Sequence, residues 1–155
     1  MAVDKRRNLL HEVAHAPAYL DLDLSQKEEL EYMKMSPTKP QLLCSYHNYN
    51  ETPMDDELRR LSIEMLSYNP DILKISTFCK TSDDAIRLLQ LQSSFRQQGL
   101  RHIVLGMGPE GAVTRIFGTI WGNELVFAPL SNDDATAPDQ LTREQLDRVF
   151  QALQT

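Results

Sequence analysis

Residues 40–76 read PQLLCSYHNYNETPMDDELRRLSIEMLSYNPDILKIS, and this stretch decides the fold. Residues 40–47 form a short, nearly uncharged run that is typical of a buried strand, and Thr52-Pro53 then opens a helix. Residues 71–76 form a second such strand. A strand, a helix and a second strand in close succession predict parallel pairing through a right-handed crossover.

The same alternation continues in both directions along the chain. The predicted strands are residues 18–24, 40–47, 71–76, 102–107 and 124–129, and the predicted helices are residues 4–16, 25–35, 52–68, 82–98, 111–118 and 142–153. The predicted helix caps are Ser25 together with Glu28, Ser82 and Thr142. No Gly-x-Gly-x-x-Gly or Walker loop follows the first strand, which favours a barrel over a nucleotide-binding doubly wound sheet. We expect an α/β fold of the (β/α)8 TIM-barrel type, here a partial barrel of about five parallel strands and six helices, as a single domain over residues 1–155.

Composition narrows the class of protein. A length of 155 residues with 41% hydrophobic and 25% charged residues is typical of one globular domain. A net charge of -6 argues against nucleic acid or an anionic membrane surface as the main partner. No apolar run is long enough to span a membrane and no signal peptide is recognisable, so we expect a cytoplasmic protein. Cys44 and Cys79 are expected to be reduced packing thiols.

Two side chains on consecutive predicted strands carry the candidate chemistry. Lys74 lies between Leu73 and Ile75, and an amine removed from water loses its proton more readily and can attack a carbonyl carbon. His47 ends the preceding predicted strand, and parallel barrel strands converge at their C-terminal ends, so His47 and Lys74 are expected to be neighbours. The alternatives are a lysine whose head reaches solvent and a structural histidine that is only hydrogen-bonded.

Five ordered segments resemble type I 3-dehydroquinate dehydratases. Residues 44–53 resemble the family's Ser-x-His-Asp-Phe-x-x-Thr-Pro segment, and residues 71–76 its Asp-x-x-Lys-Ile-Ala strand. Residues 107–115 are similar to Met-x-x-x-Gly-x-x-Ser-Arg, residues 121–123 to Phe-Gly-Ser, and residues 136–140 to the Ser-Ala-Pro-Gly-Gln loop that closes over substrate. The resemblance begins at about residue 19 and extends to the C-terminus.

The resemblance implies a lyase of the shikimate pathway that converts 3-dehydroquinate to 3-dehydroshikimate without metal or organic cofactor. Lys74 would form a Schiff base with the substrate ketone, and His47 would act as general acid and base. Arg115 would bind the substrate carboxylate, because a guanidinium fork matches that group. Met107 would pack against the substrate ring, while Thr136 and Gln140 would bond its hydroxyls. For these four, a surface arginine, a core methionine and two solvated loop residues are the alternatives.

The chain also departs from the family pattern. Residues 19–23 resemble the fourth strand of the family's barrel, and the first three strands have no counterpart in residues 1–18. The family's carboxylate that orients the catalytic histidine is among the features expected to be missing. Five strands would leave two open edges, so we expect a homo-oligomer. A truncated, inactive barrel fragment that acts only by binding or oligomerising is the alternative. Asp139 in place of glycine and Thr136 in place of serine put the loop geometry in question.

Two other activities compete with the dehydratase. His11-Glu12-Val13-Ala14-His15 matches the His-Glu-x-x-His pattern of zinc proteases on a predicted helix, although Pro17 and Ala18 disagree with the extended motif. A class I aldolase also uses a Schiff-base lysine at a barrel strand end. The spacing of His47 and Lys74 and the loop at residues 136–140 favour the dehydratase.

Overall fold

The structure is a computed structural model that describes residues 19–37, 40–131, 133 and 140–153. In chain order its elements are β1 (Tyr19–Asp23), α1 (Lys27–Met35), β2 (Gln41–Asn48), α2 (Asp55–Leu66), β3 (Ile72–Phe78), α3 (Ser82–Gln97), β4 (His102–Met107), a 3-10 turn (Pro109–Gly111), α4 (Ala112–Ile120) and α5 (Arg143–Leu153). The helix predicted over residues 4–16 lies outside the described residues. The first four predicted strands and the five later predicted helices are confirmed, within a few residues at each end.

The four strands form one parallel sheet in the order β1-β2-β3-β4. Every strand therefore lies beside the strand that precedes or follows it in the chain. A doubly wound sheet reverses its strand order part of the way across, whereas a barrel wall keeps the order of the chain. The topology confirms the preference for a barrel wall.

The sheet separates two apolar clusters, because successive side chains of a strand point to opposite faces. On the outer face the helices cover one cluster, which includes Leu22, Leu42, Cys44, Leu73, Ile75 and Val104. On the inner face a smaller cluster contains Leu43, Ile72, Ile103, Leu105 and Met107. The strand runs read as continuously apolar in the sequence because both faces are packed.

The fifth predicted strand, residues 124–129, is wrong. The side chain of Asn123 accepts a hydrogen bond from the backbone N–H of Val104 at 2.9 Å and donates one to the Val104 carbonyl at 3.0 Å. The Glu124 N–H then bonds the His102 carbonyl at 2.9 Å. The Asn123 amide thus bonds the backbone N–H and carbonyl on the free edge of β4. A fifth strand would have to pair with these same backbone groups. The partial barrel has four strands among the described residues instead of five.

Helix starts were predicted with mixed success. Thr142 is confirmed as the cap of α5, since its hydroxyl accepts from the Gln145 N–H at 3.3 Å and Gln145 accepts a bond from the Thr142 N–H at 2.8 Å. Ser25 was predicted to cap α1 together with Glu28, and this is wrong. Ser25 instead bonds Asp23 through both its N–H and its hydroxyl, at 3.0 and 2.7 Å, and α1 begins two residues later.

Both cysteines are buried free thiols, as expected. Burial raises the pKa of the Cys44 thiol to about 12, so it stays protonated at neutral pH. Among the described residues, none of the helices has the length and apolar character needed to cross a membrane.

Candidate active site

Lys74 lies in the middle of β3 and points to the inner face of the sheet. Its Nζ is 2.8 Å from Oδ2 of Asp21, and the ring centroid of Phe127 lies 4.9 Å away. The Lys74 side chain is only 13% exposed, so its head does not extend freely into solvent. β1 and β3 are not adjacent, and the Lys74–Asp21 ion pair therefore crosses over β2.

His47 lies near the C-terminal end of β2, held on two sides. Its Nδ1 is 3.0 Å from Oδ2 of Asp23, and its ring stacks on Tyr49 with centroids 6.1 Å apart and an interplanar angle of 10°. An ionised carboxylate only accepts hydrogen bonds, so Nδ1 donates to Asp23 and Nε2 is left as the proton acceptor. The expectation that His47 lacks an orienting carboxylate is therefore wrong, because Asp23 occupies that role in this chain.

The charge of Asp23 is maintained by its hydrogen bonds. Burial alone would raise the pKa of this carboxyl, but hydrogen bonds from His47 and Ser25 outweigh it and hold the pKa below its ordinary value. Asp23 is therefore an anion at neutral pH. Asp23 therefore presents a fixed negative charge to the Nδ1 side of the His47 ring.

The Lys74–Asp21 and His47–Asp23 pairs lie side by side on the inner face of the sheet. In the parallel register Lys74 is opposite Ser45, and His47 is opposite Ser76, so His47 and Lys74 are diagonal neighbours on adjacent strands. Asp21 and Asp23 alternate with leucines along β1 and share its inner face. An amine, an imidazole and two carboxylates thus meet at one end of the sheet, where active sites of parallel barrels are built.

Arg115 enters from the first turns of α4. The residue is only 8% exposed, and its guanidinium forms no hydrogen bond or ion pair with any residue that the structure describes. Burial lowers the pKa of its guanidinium, although arginine remains charged in proteins. A buried cation without a partner is costly, and an incoming anion removes that cost.

A tight turn fixes the position of Arg115 relative to β4. A Cβ on Gly111 would lie 2.5 Å from the carbonyl carbon of Gly106, so only glycine allows this approach of the two backbones. The Thr114 hydroxyl accepts from the Gly106 N–H and donates to the Gly111 carbonyl, both at 2.7 Å. Met107, the last residue of β4, is 7% exposed in the inner cluster, so it packs as a core residue in the free protein.

Of the residues predicted in the substrate-covering loop, only Gln140 lies within the described part of the chain. Thr136 lies outside the described residues, as do Asp139 and the segment His11 to His15. Gln140 is described, and its Nε2 donates to the carbonyl of Phe127 at 2.9 Å. Through that bond Gln140 holds the residue whose ring covers Lys74. Its contact with substrate hydroxyls stays a prediction.

Sequence reasoning did not identify three residues of this site: Asp21, Asp23 and Phe127. The alternation of leucine and aspartate in residues 20–23 was a usable signal for the two carboxylates, because it places both on one face of a strand beside β2. Phe127 gave no such signal, since the segment around it is not a strand. Its position depends on tertiary packing alone.

Comparison with known proteins gives one consistent family. The model of a family described as type I 3-dehydroquinase matches residues 1–155. A 3-dehydroquinate dehydratase of Methanococcus maripaludis strain C7 is 29% identical over 148 residues, which are 94% of this chain and 66% of that protein.

Two solved structures named as 3-dehydroquinate dehydratases are also similar. The one from Geobacillus kaustophilus HTA426 has a TM-score of 0.86 at 24% identity and covers 99% of this chain and 61% of its own. The one from Aquifex aeolicus VF5 has a TM-score of 0.74 at 26% identity and covers 97% of this chain and 67% of its own. The (β/α)8 barrel type of the fold is thereby confirmed, and the chain spans about two thirds of the length of the relatives that it matches.

Proposed function

This chain belongs to the type I 3-dehydroquinase family, and on that premise we propose that it dehydrates 3-dehydroquinate to 3-dehydroshikimate through a Schiff base on Lys74. The observation that carries the proposal is the pair of contacts on one sheet face, Lys74 with Asp21 at 2.8 Å and His47 with Asp23 at 3.0 Å. A buried amine beside an oriented imidazole is suited to imine formation followed by proton transfer.

The proposed chemistry proceeds in two stages. The amine of Lys74 adds to the C3 ketone of the substrate, and loss of water gives an imine that withdraws electrons from C2. Nε2 of His47 then removes a C2 proton and returns it to the departing C1 hydroxyl, which leaves as water. Hydrolysis of the product imine afterwards releases 3-dehydroshikimate and restores the amine of Lys74. General acid-base help of this kind contributes roughly 10²- to 10⁴-fold to the rate.

Arg115 supports the choice of an anionic substrate. Its buried guanidinium has no partner among the described residues, and the substrate carboxylate supplies a bidentate acceptor for it. Met107 is proposed to pack against the ring from the end of β4. Thr136 and Gln140 are proposed to bond the ring hydroxyls from the part of the chain that follows Phe127.

The unpaired edge of β1 and the two free thiols bear on assembly and location. On its outer side β1 pairs with no strand among the described residues, and an open strand edge favours association with another chain. This open edge supports the prediction of a homo-oligomer. The cytoplasm stays the predicted location, because both thiols are free and the reaction needs no oxidising compartment.

Borohydride reduction tests the proposal directly. The chain is incubated with 3-dehydroquinate and borohydride, and the product is examined by intact mass and peptide mapping. We expect one reduced adduct on Lys74 and none in Lys74→Ala. Lys80→Ala is the matched control, because Lys80 pairs with Glu51 at 3.1 Å and is 56% exposed. A folded wild-type chain that gives no adduct, or an adduct mapped to another lysine, contradicts the proposal.

A further inference from the structure

Ser45 lies at the centre of the site, although neither pair of contacts includes it. On β2 its neighbours in register are Asp23 on one side and Lys74 on the other. His47 follows two residues later on the same face of the strand. Adjacent strands lie about 4.8 Å apart, so the Ser45 hydroxyl is surrounded by the base, the amine and one carboxylate.

The Ser45 hydroxyl is buried without a partner. The residue is 1% exposed, and its Oγ has no hydrogen bond to any part of the chain that the structure describes. Two other buried hydroxyls illustrate the usual case. Ser62 donates to the Leu58 carbonyl at 2.7 Å, and Thr114 bonds two backbone groups. An unsatisfied buried hydroxyl destabilises the folded state, so its presence at this position calls for a functional reason.

The path of Lys74 indicates what that reason is. To reach Asp21 on β1, the Lys74 side chain passes over β2 near Ser45. A carbonyl carbon that the Lys74 amine attacks must therefore come close to the same part of β2. The oxygen of that carbonyl gains negative charge during the attack, and a fixed donor beside it stabilises the charge.

We propose that the Ser45 hydroxyl donates a hydrogen bond to the substrate oxygen that is expelled when Lys74 forms its imine, which makes Ser45 a catalytic residue of that step. This inference rests on the proposed function. As the C–N bond forms, the carbonyl π electrons move to oxygen, and the proton lost from nitrogen is taken up by that oxygen. The C–O bond then breaks, the oxygen leaves as water after taking up the second proton of the amine nitrogen, and the C=N bond forms. Ser45 keeps its own proton throughout.

The Ser45→Ala variant separates this role from a structural one. Removing an unpartnered buried hydroxyl should leave the thermal unfolding midpoint unchanged or raise it by a few degrees. The rate at which the Lys74 adduct accumulates in timed borohydride quenches should fall by between about tenfold and a hundredfold. Ser62→Ala is the matched control, because it removes a satisfied buried hydroxyl from α2, and its adduct rate should stay at the wild-type value.

Two carbonyl probes keep this test distinct from the test of the proposed function. If the Ser45→Ala variant forms adduct at the wild-type rate with both 3-dehydroquinate and glyoxylate, the role of Ser45 is overturned. A large drop in the unfolding midpoint together with slow trapping also overturns it, since that is a structural effect. If the wild-type chain traps glyoxylate but not 3-dehydroquinate, and Ser45→Ala slows that trapping, Ser45 stands and the substrate assignment fails. If Lys74 traps neither probe, both fail.

Discussion

At the residue scale, the site depends on side chains of β1 that reach bases on other strands. Asp23 bonds His47 on the adjacent strand, and Asp21 bonds Lys74 two strands away. Lys74 and His47 were identifiable from the sequence because their positions on consecutive predicted strands and the family resemblance agree. The carboxylates were missed because a sequence shows which face a residue occupies but not which partner lies opposite.

The Asp23 carboxylate predicts a dependence of stability on pH. Its pKa in the folded chain is lowered from the ordinary value of 3.8. A lowered carboxyl pKa stabilises the folded state at every pH above the ordinary value, and the contribution disappears as the pH falls through the folded pKa. We expect wild type to be more stable than Asp23→Asn at neutral pH, and the difference in unfolding free energy to shrink below pH 3.8.

Urea unfolding of both chains over a series of pH values measures this difference. Asp56→Asn removes an exposed carboxylate from α2 and serves as the control, with a small difference expected at every pH. A difference for Asp23→Asn that is constant down to the most acidic conditions would show that the His47 contact does not depend on the ionised carboxylate.

At the scale of elements, the sequence predicted the strands and helices well where local signals agree. Apolar runs of strand length, proline and glycine at helix ends, and capping residues all act within a few residues. The predicted strand at residues 124–129 failed because a tertiary contact decided it: the Asn123 side chain bonds Val104 on β4. A local pattern contains no information on such a contact.

The start of α3 provides a test of one such local signal. Ser82 was predicted as its cap, but the cap is Thr81. Asp84 accepts most of the side-chain hydrogen bonds at this helix start. Asp84 accepts from the backbone N–H of Lys80 at 2.9 Å and of Thr81 at 3.1 Å, and Arg87 donates to it at 2.7 Å. The Thr81 hydroxyl accepts a single bond of 3.4 Å.

We therefore expect Asp84→Ala to cost more than Thr81→Ala. Loss of the carboxylate should lower the free energy of unfolding by about 2 kcal/mol, and loss of the long hydroxyl bond by about 1 kcal/mol or less. Chemical denaturation at neutral pH compares the two, with Ser82→Ala as a control that should have little effect. Equal losses for all three variants would contradict this account of the helix start.

At the scale of the whole molecule, strand order and site location followed from the alternation of strands and helices. Parallel strands that keep the order of the chain place all their C-terminal ends together, so residues far apart in sequence meet without any need to predict a contact. The burial of the Arg115 guanidinium without a partner was not predictable in this way. Its burial without a partner depends on how α4 packs on β4 through the close approach of Gly106 and Gly111.

A buried guanidinium without a partner, proposed here to bind the substrate carboxylate, should lower the stability of the whole fold. Replacing a buried, unpartnered charge by an apolar side chain of similar size relieves its desolvation cost, so we expect Arg115→Met to leave the free energy of unfolding unchanged or raise it, by up to about 4 kcal/mol. The KM for 3-dehydroquinate should rise at least about tenfold, because the carboxylate loses its bidentate donor. Arg148→Met is the control: Arg148 is 74% exposed and pairs with Glu144 on α5, and both quantities should stay near wild type. Urea unfolding and steady-state kinetics measure the two effects, and a clear loss of stability with an unchanged KM would assign Arg115 a structural role instead.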